Sequence, residues 1–287
     1  MEERSTPYRE RRFTSRDNLS LYFRDYGDPI VPRAPLVCLA GFTRNSKDFH
    51  DLAGRLCADR RVVSLDYRGR GRSDYDRNWR NYDPRVYVDD VLQLLAATNM
   101  DRVVMLGTSL GGLVAMSLAV AAPTRLAGVI LNDIGPVVEA AGIDRVKALL
   151  RICRPQPDWE TATRYIKANY RGLSIETEGG WLKLARRTFR EGPDGWLHFD
   201  FDPAVTRALE AAGNPLPDLW PLFRALRRVP TLAIRGAISD ILSPETFDRM
   251  AEEKPDLMRA TVPEVGHVPL LDEPACADAI DAFLRDL

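Results

Sequence analysis

The sequence predicts an α/β fold: a mostly parallel sheet with helices on both faces, interrupted once by a long helical insert. Three observations predict it. Short, continuous apolar runs recur, the pattern of strands buried on both faces. Segments of helical periodicity separate those runs. The alternation stops after Asp133 and resumes near Thr231.

Each element follows from its residues. Residues 1–12 are charged and are expected to fray. Phe13-Thr14-Ser15 and Leu19 to Phe23 flank Arg16-Asp17-Asn18, a hairpin pattern closed by Gly27-Asp28-Pro29. Buried-type strands follow at Pro35–Ala40, Arg61–Leu65, Val103–Leu106 and Leu126–Leu131. Helical periods fall at Asp48–Leu56, Tyr87–Ala97 and Leu110–Ala121. From 136 to about 228 the chain reads as helical and irregular, punctuated by Pro155, Pro157, Pro193, Pro203, Pro215, Pro217 and Pro221. Beyond it lie a strand at Thr231–Ile234, a helix at Pro244–Glu253, a strand at Arg259–Val262 and a closing helix at Ala275–Leu287.

Composition bounds the function. In 287 residues, Lys plus Arg is 40 and Asp plus Glu is 41, for a formal net charge of −1. No global basic field draws nucleic acid or anionic lipid, so neither is expected as a partner. The four cysteines, Cys38, Cys57, Cys153 and Cys276, form no CxxC pair and stand at no metal-ligand spacing. No metal site is expected. The N-terminus has no apolar signal region, and the longest apolar stretch, Leu113–Ala122, is too short to span a bilayer. A cytoplasmic protein is the expectation. Only His50, His198 and His267 are available for histidine chemistry.

Gly107-Thr108-Ser109-Leu110-Gly111 carries the chemistry. A G-x-S-x-G between a strand and a helix forces its serine into a strained turn above the sheet, at a helix N-terminus. A serine hydroxyl is a weak nucleophile and needs a base. His267 lies just after the last predicted strand, at the carboxyl end of the sheet where open α/β folds bind ligands. His50 falls within a helical pattern and reads as a satisfied or solvated histidine. His198 lies in the insert and reads as structural or as a pocket wall. The histidine needs a carboxylate to fix its tautomer. Asp240, after the strand at 231–234, is the expected acid; Asp133, after the strand at 126–131, is the alternative. An oxyanion would be met by backbone N–H groups, expected from Phe42 and Leu110.

On these residues the chain resembles the α/β-hydrolase fold superfamily. The likeness rests on the Ser109 turn, Ala40-Gly41-Phe42, Asp66-Tyr67-Arg68-Gly69-Arg70-Gly71-Arg72-Ser73-Asp74, and the Asp240 and His267 loops. The order Ser109, Asp240, His267 is the family's order. Ala40 departs from it, standing where many relatives carry His. The resemblance implies an eight-stranded, mostly parallel sheet, with residues 1–135 and 229–287 as the catalytic core and 136–228 as a helical cap. It implies a serine hydrolase that forms an acyl-enzyme on a small, largely apolar ester or lactone and needs no cofactor. The alternatives are a carbon–carbon bond hydrolase of diketone-type substrates, a cofactor-free perhydrolase, and a ligand receptor that does not turn over. Cap aromatics Trp159, Trp181, Trp196 and Phe199, together with Arg44, are expected at the substrate pocket. Either a monomer or a homodimer is compatible with the sequence.

Overall fold

The computed structural model describes residues 6–211 and 217–287. Met1–Ser5 and Pro215 therefore lie outside the described residues. The chain begins with an antiparallel hairpin, β1 (Arg9–Thr14) and β2 (Ser20–Tyr26), turning at Asn18 with φ 66°. Then follow β3 (Leu36–Leu39), α1 (His50–Leu56), β4 (Val62–Leu65), α2 (Pro84–Ala97), β5 (Val103–Thr108), α3 (Leu110–Ala121) and β6 (Leu126–Asn132). The segment beyond β6 holds α4 (Ala140–Arg151), α5 (Trp159–Asn169), α6 (Glu178–Thr188), β7 (Phe189–Glu191), β8 (Leu197–Phe199), α7 (Val205–Ala211) and α8 (Trp220–Ala225). The chain closes with β9 (Thr231–Gly236), α9 (Pro244–Glu253), β10 (Met258–Val262) and α10 (Pro274–Leu284).

Eight strands form one sheet in the order β1-β2-β4-β3-β5-β6-β9-β10. β1, β2 and β4 pair antiparallel; every other pairing is parallel. The expected eight-stranded, mostly parallel sheet is present. The continuous apolar runs have a simple cause. In β5, Val103 and Met105 face a core shared with α2 and α3, whereas Val104 and Leu106 face a second core shared with α1 and α10. A strand covered on both sides has no polar face to alternate with.

Two expectations change. Residues 9–12 do not fray: they pair with β2, and Asp25 draws Arg9 and Arg11 to within 3.4 and 3.3 Å. The segment between β6 and β9 is not purely helical, because Phe189 and Leu197 turn inward from a small antiparallel hairpin, β7–β8. That hairpin packs with α5 and α6 around Ala162, Ile166, Trp181 and Leu184 in a core separate from the two sheet cores.

The segment is fastened to the sheet at several points. Gly266 N–H donates to Gly172 O at 2.7 Å, and Gly71 N–H donates to Asp200 O at 2.9 Å. Asp200 also meets Lys47 at 2.8 Å, and Asp51 meets both Arg187 at 2.5 Å and Lys183 at 2.8 Å. No helix among the described residues is long and apolar enough to cross a membrane.

Candidate active site

Ser109 stands alone between the end of β5 and the start of α3, with φ 52° and ψ −114°. A non-glycine residue in that region is strained, and strain of this kind persists where surrounding contacts over-determine it. Here they do. Ser109 N–H donates to Asn132 O of β6 at 3.0 Å, and Gly112 N–H donates to Ser109 O at 2.9 Å. The turn is also tight. A Cβ on Gly107 would come within 2.3 Å of the Gly111 backbone, and one on Gly111 within 2.1 Å of Leu39 O. Glycine at both positions lets strand, turn and helix close around the serine.

His267 sits in the loop after β10. Its Nε2 is 3.1 Å from Ser109 Oγ, and its Nδ1 is 2.7 Å from Asp133 Oδ2. Asp133 is fully buried and immediately follows β6, with φ 54°. Its Oδ1 accepts from Gly236 N–H at 2.8 Å, and its Oδ2 also accepts from Ser239 Oγ at 2.6 Å. Carboxylate oxygens used this way leave the ring proton on Nδ1, so Nε2 is the acceptor for the serine hydroxyl. The histidine loop is itself held. Asn132 Nδ2 donates to Pro269 O at 3.0 Å, and the Leu270 and Leu271 N–H groups donate to the Glu273 carboxylate at 2.8 and 2.9 Å.

The acid expected from the sequence is corrected. Asp240 does not reach His267; Arg145 of α4 takes both its oxygens, at 2.5 and 2.9 Å. The reason is position in the sheet. β6 lies beside β5, so the first residue past β6 is next to the nucleophile turn. Asp240 comes four residues past the end of β9, on a half-exposed loop that turns toward α4. A signal for Asp133 was present: a lone carboxylate between the buried run Leu126–Asn132 and Ile134-Gly135, with no cation nearby in sequence.

The remaining expected site residues divide. Gly41, Phe42 and Ser109 line one cavity of about 160 Å³ with His267. Leu110 opens α3, where a first-turn N–H has no intrahelical acceptor. Neither the Phe42 nor the Leu110 N–H donates to a described backbone or side chain. Arg70 fixes the Phe42 turn from behind, donating from Nε to Phe42 O at 3.0 Å, with its guanidinium 5.6 Å from the Phe42 ring centre. Arg44 lines the cavity but does not present a free charge. Asp48 holds it at 2.8 and 2.5 Å, and Thr188 Oγ1 accepts from it at 2.6 Å. Burial works against that charge, but Asp48 outweighs it and leaves the guanidinium pKa above its ordinary value.

The aromatic expectation is also corrected. Trp159, Trp181, Trp196 and Phe199 do not line the cavity. Trp181 is buried in the separate core of the segment, Trp159 and Phe199 pack against that core, and Trp196 is exposed. The wall on that side comes instead from one face of α4, Arg145, Val146, Leu149 and Leu150, with Tyr170 and Phe201. His50 bonds Tyr26 Oη at 3.1 Å, and His198 bonds Asp194 at 2.9 Å; neither reaches the cavity. All four cysteines are free, and among the described residues no group of three or more His, Cys, Asp or Glu is arranged to hold a metal ion.

Comparison with known proteins agrees with this architecture. A family model described as the alpha/beta hydrolase family matches residues 36–279. The chain is 35% identical over 263 residues to 3-hydroxybutyrate-oligomer hydrolase of Cupriavidus necator, covering 88% of each chain. It superposes on an alpha/beta hydrolase from Novosphingobium aromaticivorans with a TM-score of 0.91 at 40% identity, covering 98% of this chain and 99% of that one. An esterase from Rhodococcus sp. ECU1013 superposes with a TM-score of 0.73 at 25% identity, covering 97% of this chain and 99% of that one. These relatives are hydrolases, the family model covers most of the chain, and the chain belongs to the alpha/beta hydrolase family.

Proposed function

We propose that the protein is a serine-dependent hydrolase of carboxylic esters, acting through Ser109, His267 and Asp133. The observation that carries this reading is the continuous hydrogen-bonded chain from Asp133 Oδ2 through His267 to Ser109 Oγ, at 2.7 and 3.1 Å. Those separations allow a serine to be activated by a base and the base to be oriented by an acid. The similarity to a hydrolase of 3-hydroxybutyrate oligomers supports the bond type, since hydroxy-acid oligomers are joined through esters.

The reaction runs in two halves. His267 Nε2 takes the Ser109 proton as Oγ attacks the ester carbonyl carbon. The resulting oxyanion accepts from the Phe42 and Leu110 N–H groups, the latter aided by the N-terminal end of the α3 dipole. As the carbon–oxygen bond breaks, the imidazolium gives its proton to the departing alcohol. Water then attacks the acyl-enzyme with His267 as base, releasing the acid and restoring Ser109. Asp133 orients the ring and stabilises the imidazolium. Residues 136–228 act as a cap that closes the cavity over Ser109 and sets the size of the acyl group.

Pre-steady-state hydrolysis of p-nitrophenyl butyrate tests the proposal. A burst of p-nitrophenol stoichiometric with enzyme is expected, together with a fluorophosphonate adduct on Ser109. Ser109→Ala is expected to lower kcat/KM by about 10⁴-fold or more. Unchanged turnover in that variant overturns the proposal. A parallel panel of lactones and vinylogous diketones reports whether another bond is preferred.

A further inference from the structure

Three guanidinium groups line the cavity, from Arg44, Arg145 and Arg187, against one carboxylate, Asp48. The rest of the lining is mostly apolar, where an unneutralised cation is expensive. Arg44 is spent on Asp48 and Thr188. Arg187 is spent on Asp51, which also serves Lys183. Arg145 differs. Its Nε and Nη2 fork onto Asp240, but its Nη1 donates to no described residue. Tyr170 lines the same cavity, and its hydroxyl has no hydrogen-bond partner among the described residues. Burial pushes that phenol above its ordinary pKa, against the opposing charge of Arg44, so it remains a proton donor.

We propose that Arg145 Nη1 and the Tyr170 hydroxyl form an anion subsite, and that the preferred substrates are esters carrying a free carboxylate. The inference rests on the ester-hydrolase reading and names its substrate class. Both donors belong to residues that line the cavity also lined by Ser109 and His267. A bifunctional molecule would place its carbonyl on the serine and its carboxylate on the donors. A guanidinium edge and a hydroxyl lining one cavity suit the two oxygens of a planar carboxylate. A phosphate dianion is less suited, because Asp48 lines the same cavity and Asp240 holds the other edge of Arg145.

The test compares two activated esters with the same five-carbon acyl chain, mono-(p-nitrophenyl) glutarate and p-nitrophenyl pentanoate. The wild-type protein is expected to favour the glutarate by about tenfold in kcat/KM, mainly through KM. Arg145→Met and Tyr170→Phe are each expected to collapse that ratio. Tyr170→Phe leaves the Arg145–Asp240 pair intact, so it carries the test if Arg145→Met misfolds. No glutarate preference, or a preference kept in both variants, overturns the inference while leaving Ser109-dependent ester cleavage standing. Absence of Ser109-dependent cleavage of either ester overturns the ester reading. In that event calorimetry with glutarate decides the subsite: binding to Ser109→Ala that is lost in Ser109→Ala/Arg145→Met supports it, and no binding refutes it.

Discussion

A carboxylate as buried as Asp133 needs donors on both oxygens, and it has three: Gly236 N–H, Ser239 Oγ and His267 Nδ1. An amide at the same place can still accept, but it also offers N–H groups where only donors approach. Asp133→Asn is therefore expected to favour the wrong ring tautomer and lower kcat by about 10⁴-fold. Asp240→Asn is expected to cost less than about tenfold, since that side chain meets Arg145 and not His267. Steady-state kinetics of the two variants on one ester check the order, and the reverse order refutes it. The sequence reveals Ser109 and His267 because each announces itself locally, one by flanking glycines and one by following the last strand. The carboxylate partner of His267 announces itself only weakly. Both Asp133 and Asp240 follow strands of the buried type, and the place of β6 beside β5 and the packing of the loop after β9 against α4 separate them.

Among the elements, the β5–Ser109–α3 turn has little room. Gly111→Ala would press a methyl group against Leu39 O, 2.1 Å away from where Cβ must sit. A loss of about 3 kcal/mol in stability is expected, read as a lower midpoint in urea unfolding. The clamp between α4 and the loop after β9 is weaker and depends on pH. The hydrogen bond from Arg145 holds Asp240 below its ordinary value of 3.8. A depressed carboxyl contributes stability above its unfolded pKa and loses it as pH falls through the folded one. The Tm gap between wild type and Asp240→Asn should be full at neutral pH and close in acid below that ordinary value. It should stay small, because the pair is more than a third exposed and water screens it. Most elements were legible from apolar periodicity. The first half of β1 was not, because Arg9–Arg12 are exposed on both faces of an edge strand, and nothing in their own pattern extends the hairpin read at Phe13.

At the scale of the whole molecule, the segment between β6 and β9 is joined to the sheet partly by packing, with Phe201, Val205, Trp220 and Phe223 in a sheet core, and partly by charge. Lys47–Asp200, Arg187–Asp51, Lys183–Asp51 and Arg145–Asp240 all cross that boundary. Raising salt to about 1 M shortens the screening length to about 3 Å and should loosen the more exposed of these contacts. Amide hydrogen exchange is expected to speed up in α5 and α6 relative to β5 and β6; equal rates across both regions refute it. The break in the strand–helix alternation after Asp133 was legible, but the packing of the aromatics beyond it was not. Whether Trp181 faces a cavity or a neighbouring helix depends on how α5 and α6 pack, which composition does not encode.

The position of Asp133 also bears on how such a protein can change over generations. Ser109 and Asp133 both precede the segment between β6 and β9, each one residue past the end of neighbouring strands β5 and β6, and only His267 follows it. The loop bearing His267 is anchored to β6 by Asn132. The α4 residues Arg145, Val146, Leu149 and Leu150 build a wall of the cavity, so substitutions there redraw what it admits without touching the strand ends that carry Ser109 and Asp133. That wall can vary while the hydrogen-bonded chain of Ser109, His267 and Asp133 stays in place.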